Sequence, residues 1–78
     1  MWYTYRNLAG NSGVWEYRFD ELLYTWIEVR FQDGATYLYT DDSCSWVEVI
    51  EMIDCAERGI YLQRFINDHQ PGYADYTK

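Results

Sequence analysis

The chain has 78 residues, 21% of them aromatic, and a formal charge of −7 at pH 7. A chain this short buries only about 60–65% of its unfolded surface, so it makes one domain whose core must come from its nine Tyr, four Trp and three Phe. The acidic balance repels phosphate backbones and attracts basic surfaces.

Residues 2–8 (WYTYRNL) predict a first strand from their aromatic and β-branched content. AGNSG at 9–13 is a turn cluster; no Gly-Lys-Ser/Thr follows Gly10 and Gly13, so it is not a phosphate loop. VWEYRF at 14–19 alternates, which sends Trp15, Tyr17 and Phe19 to one face and Glu16 and Arg18 to the other. Asp20-Glu21 marks a short connection. YTWIEVRFQ at 24–32 is the strongest strand, with Thr25, Ile27, Val29 and Phe31 on one face and Trp26, Glu28, Arg30 and Gln32 on the other.

Asp33-Gly34 signals a two-residue hairpin, because a type I′ turn needs the positive φ that both residues tolerate. In that register Val29 faces Leu38, Tyr37 faces Arg30 and Tyr39 faces Glu28. Trp26, Arg30, Tyr37 and Tyr39 then share one mixed face, an aromatic contact surface of the kind that stacks bases.

Ser45-Trp46-Val47-Glu48 reads as a capping box that opens a helix. Trp46, Val49, Ile50, Ile53 and Ala56 fall on one arc, with Met52 at its edge, and Glu48, Glu51, Asp54 and Arg58 lie opposite. Gly59 is placed to end this helix in a left-handed cap. Residues 60–69 predict a second, short helix with Leu62, Phe65 and Ile66 inward, and the polar tail 70–78 is expected to be loose. Strands followed by helices predict an α+β domain over residues 1–69: an antiparallel sheet of three to four strands, with one long and one short helix packed on one face.

Little in the chain points to catalysis. Cys44, Cys55 and the lone His69 fit no zinc spacing. A nucleophile requires a base and an orienting group, and His69 stands beside the tail, far along the chain from either cysteine. On one helix the two cysteines would lie about 16 Å apart, beyond the reach of a disulfide, so both are expected as reduced thiols in a cytoplasmic protein. Cys44 near the helix start is the one thiol whose pKa a helix dipole could lower. Asp20-Glu21 and Asp41-Asp42 are turn and capping residues. No signal peptide, membrane span, metal, cofactor or enzymatic activity is expected.

Three segments together resemble the KTSC domain, a small family named for its occurrence at the C-terminus of some lysyl-tRNA synthetases and also found as a stand-alone bacterial protein. SGVWEYRFD from Ser12 is similar to the family's opening segment. IEVRFQDGATYLYT is similar to its central strand, Gly turn and Tyr-x-Tyr signature, here Tyr37 and Tyr39. GIYLQRFI is similar to its Gly-aromatic-x-x-x-x-Ile segment, here Gly59 to Ile66. The family has a Val-Pro step after the tyrosines, where this chain has Asp41-Asp42-Ser43. The resemblance implies an RNA-binding module.

Charge and size favour another role. Asp41, Asp42, Glu48, Glu51 and Asp54 gather at the hairpin exit and along the outer helix face, as a patch that docks on a basic protein surface such as the channel of a nucleic-acid enzyme. A phage or mobile-element inhibitor has this character. A homo-oligomer that buries its exposed rings is the third expectation.

Overall fold

The computed structural model describes residues 1–78. Its elements follow in the order β1 (Tyr3–Thr4), β2 (Val14–Phe19), β3 (Trp26–Phe31), β4 (Thr36–Thr40), α1 (Trp46–Arg58), α2 (Leu62–His69) and β5 (Asp75–Thr77). The five strands form one antiparallel sheet in which spatial order equals chain order. α1 packs on β3 and β4, and α2 packs on α1. The fold is therefore α+β with both helices on one face. Its core is Ile27 and Val29 of the central strand, Val49 and Met52 of α1 and Leu62 of α2, all fully enclosed. No helix is long and apolar enough to cross a membrane.

Both ends of α1 form as the sequence dictates. The Glu48 amide donates to Ser45 Oγ at 3.2 Å, and the Ser45 hydroxyl meets Glu48 Oε1 at 3.2 Å. At the other end Gly59 has φ of 74° and donates to the Cys55 and Ala56 carbonyls, closing the left-handed cap.

The hairpin differs from its expected register by one residue. The Phe31 amide donates to the Ala35 carbonyl at 2.8 Å, and the Gly34 amide to the Phe31 carbonyl at 2.9 Å. The connection is thus the three residues Gln32, Asp33 and Gly34, with Gly34 left-handed at φ of 92°, the other common hairpin solution. Asp33 Oδ1 accepts from the Ala35 amide at 3.0 Å and fixes it. Val29 now faces Tyr37, Glu28 faces Leu38 and Ile27 faces Tyr39. A one-residue slip turns every side chain of a strand over, so Tyr37 and Tyr39 join the core side and Leu38 joins Trp26 and Arg30 outside. Tyr39 is only 2% exposed.

Four further expectations change. The pairing of β2 with β3 shifts between Val14 and Glu16; this bulge sends Val14 inward and leaves Trp15 44% exposed. Trp46, placed inward by helical period, is instead 52% exposed. It is the first residue of α1, and its ring nitrogen donates to the Leu23 carbonyl at 3.3 Å, which draws the ring over the β2–β3 connection. The C-terminal segment is not loose: β5 pairs with β4 and makes the sheet five-stranded. Tyr73 and Tyr76 pack on Tyr37 at centroid distances of 5.1 and 4.8 Å, and Ser43 Oγ donates to the Gly72 carbonyl at 2.8 Å. β1 is shorter than expected, because the chain leaves the sheet and Asn7 turns left-handed at φ of 52°.

Candidate functional site

The β2–β3 connection carries the most exposed large apolar side chains outside the N-terminal Met1. Asp20 builds it. Its Oδ1 accepts the Leu22 and Leu23 amides at 3.1 and 3.3 Å, and its Oδ2 accepts the Thr25 hydroxyl at 2.6 Å and amide at 3.2 Å. These bonds, the Thr25 hydroxyl first among them, hold the Asp20 carboxyl down to about 2. Tyr24 closes the turn in a left-handed conformation, φ of 56°. A loop fixed this firmly would ordinarily turn polar residues to water. Instead it displays Leu22 and Leu23, 88% and 69% exposed.

The same apolar surface continues on α1. Trp46 is tied to the Leu23 carbonyl, and Val47 beside it is 60% exposed. Further along the helix, Ile50, Ile53, Asp54 and Glu57 line a groove of about 250 Å³ with Phe19 and Tyr24. Its aromatic floor is a run of rings: Tyr24 stacks on Phe19 at 6.2 Å, Phe19 on Tyr17 at 6.2 Å, and Tyr3 lies 5.6 Å from Tyr17. Two carboxylates hold the phenols. Tyr3 donates to Glu21 at 3.0 Å and Tyr17 to Glu57 at 2.7 Å. The bond to Glu21 raises the Tyr3 pKa, and burial, with Glu57, raises that of Tyr17.

Carboxylates rim this ridge. The Asp41 amide donates to the Thr25 carbonyl at 2.9 Å, so the β4–α1 turn with exposed Asp41 and Asp42 sits against the end of the leucine-bearing loop. Glu51 lies one helical turn from Val47 and Asp54 one turn from Ile50; both are exposed. Asp54 also pairs with Arg58 at 3.2 Å. Of the five acids expected in a docking patch, Asp41, Asp42 and Glu51 lie beside the apolar ridge, and Asp54 lines the groove next to it. Glu48 is engaged by Ser45 in the cap and half-buried. The ridge residues Leu22, Leu23, Trp46 and Val47 were not legible as a group, because the loop leucines follow no period and Trp46 fits the core arc.

The expected aromatic surface does not assemble. Trp26 and Arg30 stay on the open face, while Tyr37 and Tyr39 leave with the register change. In their place Trp2 and Trp15 arrive. The Arg18 and Arg30 guanidinium groups lie 4.6 and 4.1 Å from the Trp2 ring centre, and Arg30 lies 5.8 Å from that of Trp15. Arg18 is paired with Glu28 at 2.6 Å, and Arg30 with Glu16.

Elsewhere a polar groove of about 380 Å³ lies between the 7–12 segment and α2. Its amides tie the fold together: the Ser12 amide donates to Asn7 Oδ1 at 3.1 Å, and Gln63 Oε1 accepts the Ser12 hydroxyl at 3.1 Å and the Gly13 amide. Cys44 and Cys55 are free and half-buried, and burial pushes both thiols above their ordinary range, the reverse of an activated cysteine. The His69 ring stacks on Phe65 at 4.1 Å and its Nδ1 is 3.1 Å from the Phe65 carbonyl. No three His, Cys, Asp or Glu side chains converge as a metal site.

No family model matches this chain, and no curated protein or solved structure matches it.

Proposed function

We propose that this chain is a non-catalytic binding module that docks on a basic protein surface through Leu22, Leu23, Trp46 and Val47 and the carboxylates around them. One observation carries the reading: Asp20 pins a loop whose two leucines face water beside an exposed tryptophan, inside a rim of Asp41, Asp42 and Glu51, with Asp54 in the groove next to it. An apolar centre within a charged rim is how hot spots are built. The acidic rim speeds encounter with a basic partner and selects against acidic ones. The Lys- and Arg-lined channel of a nucleic-acid enzyme is such a partner, and a small acidic domain seated there inhibits it. With its half-buried thiols reduced, the chain would work in the cytoplasm.

The alternative, RNA binding as the KTSC resemblance implies, would use the open sheet face with Trp2, Trp15, Trp26 and Arg30. Its weakness is electrostatic. Both central cations of that face are already paired to carboxylates, so neither is free for a phosphate.

The test compares two baits in host lysate, the natural chain and Leu22→Asp/Leu23→Asp, with and without nuclease. Docking expects a discrete protein on the natural bait, absent from the variant, indifferent to nuclease and released as salt rises from about 0.1 to about 0.5 M. A protein retained equally by both baits would exclude the ridge. RNA that vanishes with nuclease would transfer the function to the open face.

A further inference from the structure

We infer that the open face of the sheet seats a second copy of this chain. Three of the four tryptophans, Trp2, Trp15 and Trp26, stand on this face with Leu38, while both helices lie on the other. By register the same face also carries Glu16, Arg18, Glu28 and Arg30, with Thr4, Thr36, Thr40, Thr77 and Asp75; the three indoles and Leu38 are its apolar area, set around four charges.

Those four charges identify the occupant. Glu16 faces Arg30 and Arg18 faces Glu28 across β2 and β3, and each pair is closed as an ion pair. The centre of the face is neutral. The whole −7 is carried by the four other cations and eleven other acids, Asp75 at the β5 edge among them. A basic partner gains nothing electrostatically at a neutral centre, and it is drawn to the ridge instead. A second copy is repelled by every acidic surface and meets least repulsion here. The alternating Glu and Arg, each closed in its own pair, also form a pattern of charge that a twofold axis sets against its own complement, as a closed dimer requires. The charges enter the interface already paired, with both guanidinium groups covered by Trp2, so closure desolvates pairs and not isolated ions. The molecule measures 30 × 27 × 25 Å, and one whole face offers roughly the 800 Å² that a standard interface takes from each partner.

Salt then acts on the two surfaces with opposite sign. Screening weakens attraction between the acidic rim and a basic protein, but it relieves repulsion between two copies of net charge −7.

The experiment is sedimentation equilibrium of the full chain over a concentration series in low and moderate salt, with Trp15→Glu, Leu38→Lys and Leu22→Asp/Leu23→Asp in parallel. Circular dichroism confirms that each variant folds, and Leu38→Lys serves if Trp15→Glu does not. A monomer–dimer equilibrium is expected that tightens by roughly tenfold or more as salt rises from about 0.01 to about 0.15 M. It should weaken at least about tenfold in Trp15→Glu or Leu38→Lys, and stay unchanged in the leucine variant. A monomer at every concentration and salt overturns the inference. So does a dimer that loosens with salt, or one that only the leucine variant removes. A failed dimer leaves the lysate result for the ridge intact.

Discussion

Asp20 binds Thr25 twice through one oxygen: Oδ2 accepts the Thr25 hydroxyl at 2.6 Å and the Thr25 amide at 3.2 Å. The loop between β2 and β3 depends on this carboxylate much as a helix depends on its cap. Asp20→Asn is expected to lower Tm by about 4–8 °C at neutral pH, the usual yield of one lost cap in a domain of this size. The Asp20 carboxyl is held at about 2 in the folded chain, against an ordinary value of 3.8. A depressed pKa contributes stability fully above the unfolded value and loses it as pH falls through the folded one. The Tm gap between the natural chain and Asp20→Asn should therefore be constant from neutral pH down to about 5 and close between about 4 and 2. A gap that persists at the acid end would mean the carboxylate's charge is not what holds the loop.

Tyr39 and Trp15 give a test of the strand faces. Tyr39 is enclosed by the core, so Tyr39→Ala should cost about 3–5 kcal/mol in denaturant titration. Trp15, displayed by the bulge, should cost the isolated domain no more than about 1 kcal/mol when changed to Ala. The two-residue hairpin would leave Tyr39 on the mixed open face, making Tyr39→Ala the mild change.

Much of this architecture was legible from residues alone. The Ser45 cap, the Gly59 stop, the amphipathic α1 and the inward set Leu62 and Phe65 all form where local rules put them, because each depends on neighbours within a few positions. The register of β4 did not follow. Asp33-Gly34 suits a two-residue turn and also the last positions of a three-residue one, and only packing against Ile27 and Val29 separates them. β5 was illegible for a similar reason: three residues carry no period, and rings from Tyr37, Tyr73 and Tyr76 hold the strand. Spacing alone put Glu48 with the other acids, where the structure draws it into the helix cap, and the apolar ridge depends on contact between residues 23 and 46.

Gly34 and Gly59 are both left-handed, yet they should respond differently to alanine. A Cβ on Gly34 meets nothing within 4 Å, so Gly34→Ala should cost only the conformational strain, about 1 kcal/mol. A Cβ on Gly59 would lie 2.7 Å from Arg6 Cβ, and its amide closes α1. Gly59→Ala should cost at least about 2 kcal/mol by chemical denaturation. Equal costs would mean that the N-terminal segment moves aside freely.

The two thiols should be sluggish. With burial raising both, alkylation of the folded chain at neutral pH should run at least about tenfold slower than that of a free cysteine, and recover the free rate in denaturant. Fast labelling of Cys44 in the folded chain would reopen the case for a reactive nucleophile.

Because strand order equals chain order, the sheet's two rims are its first and last strands, two and three residues long. Such short rims offer little backbone for another molecule's strand to zip onto. The C-terminal residues thus act as a selvedge on the weave: they cover β4, whose sequence TYLYT has the β-branched and aromatic, uncharged character that drives fibril formation. A protease that trimmed the chain before Tyr73 would leave the helices and core residues in place. It would also strip the guard from a five-residue edge and turn that edge into a template for assembly.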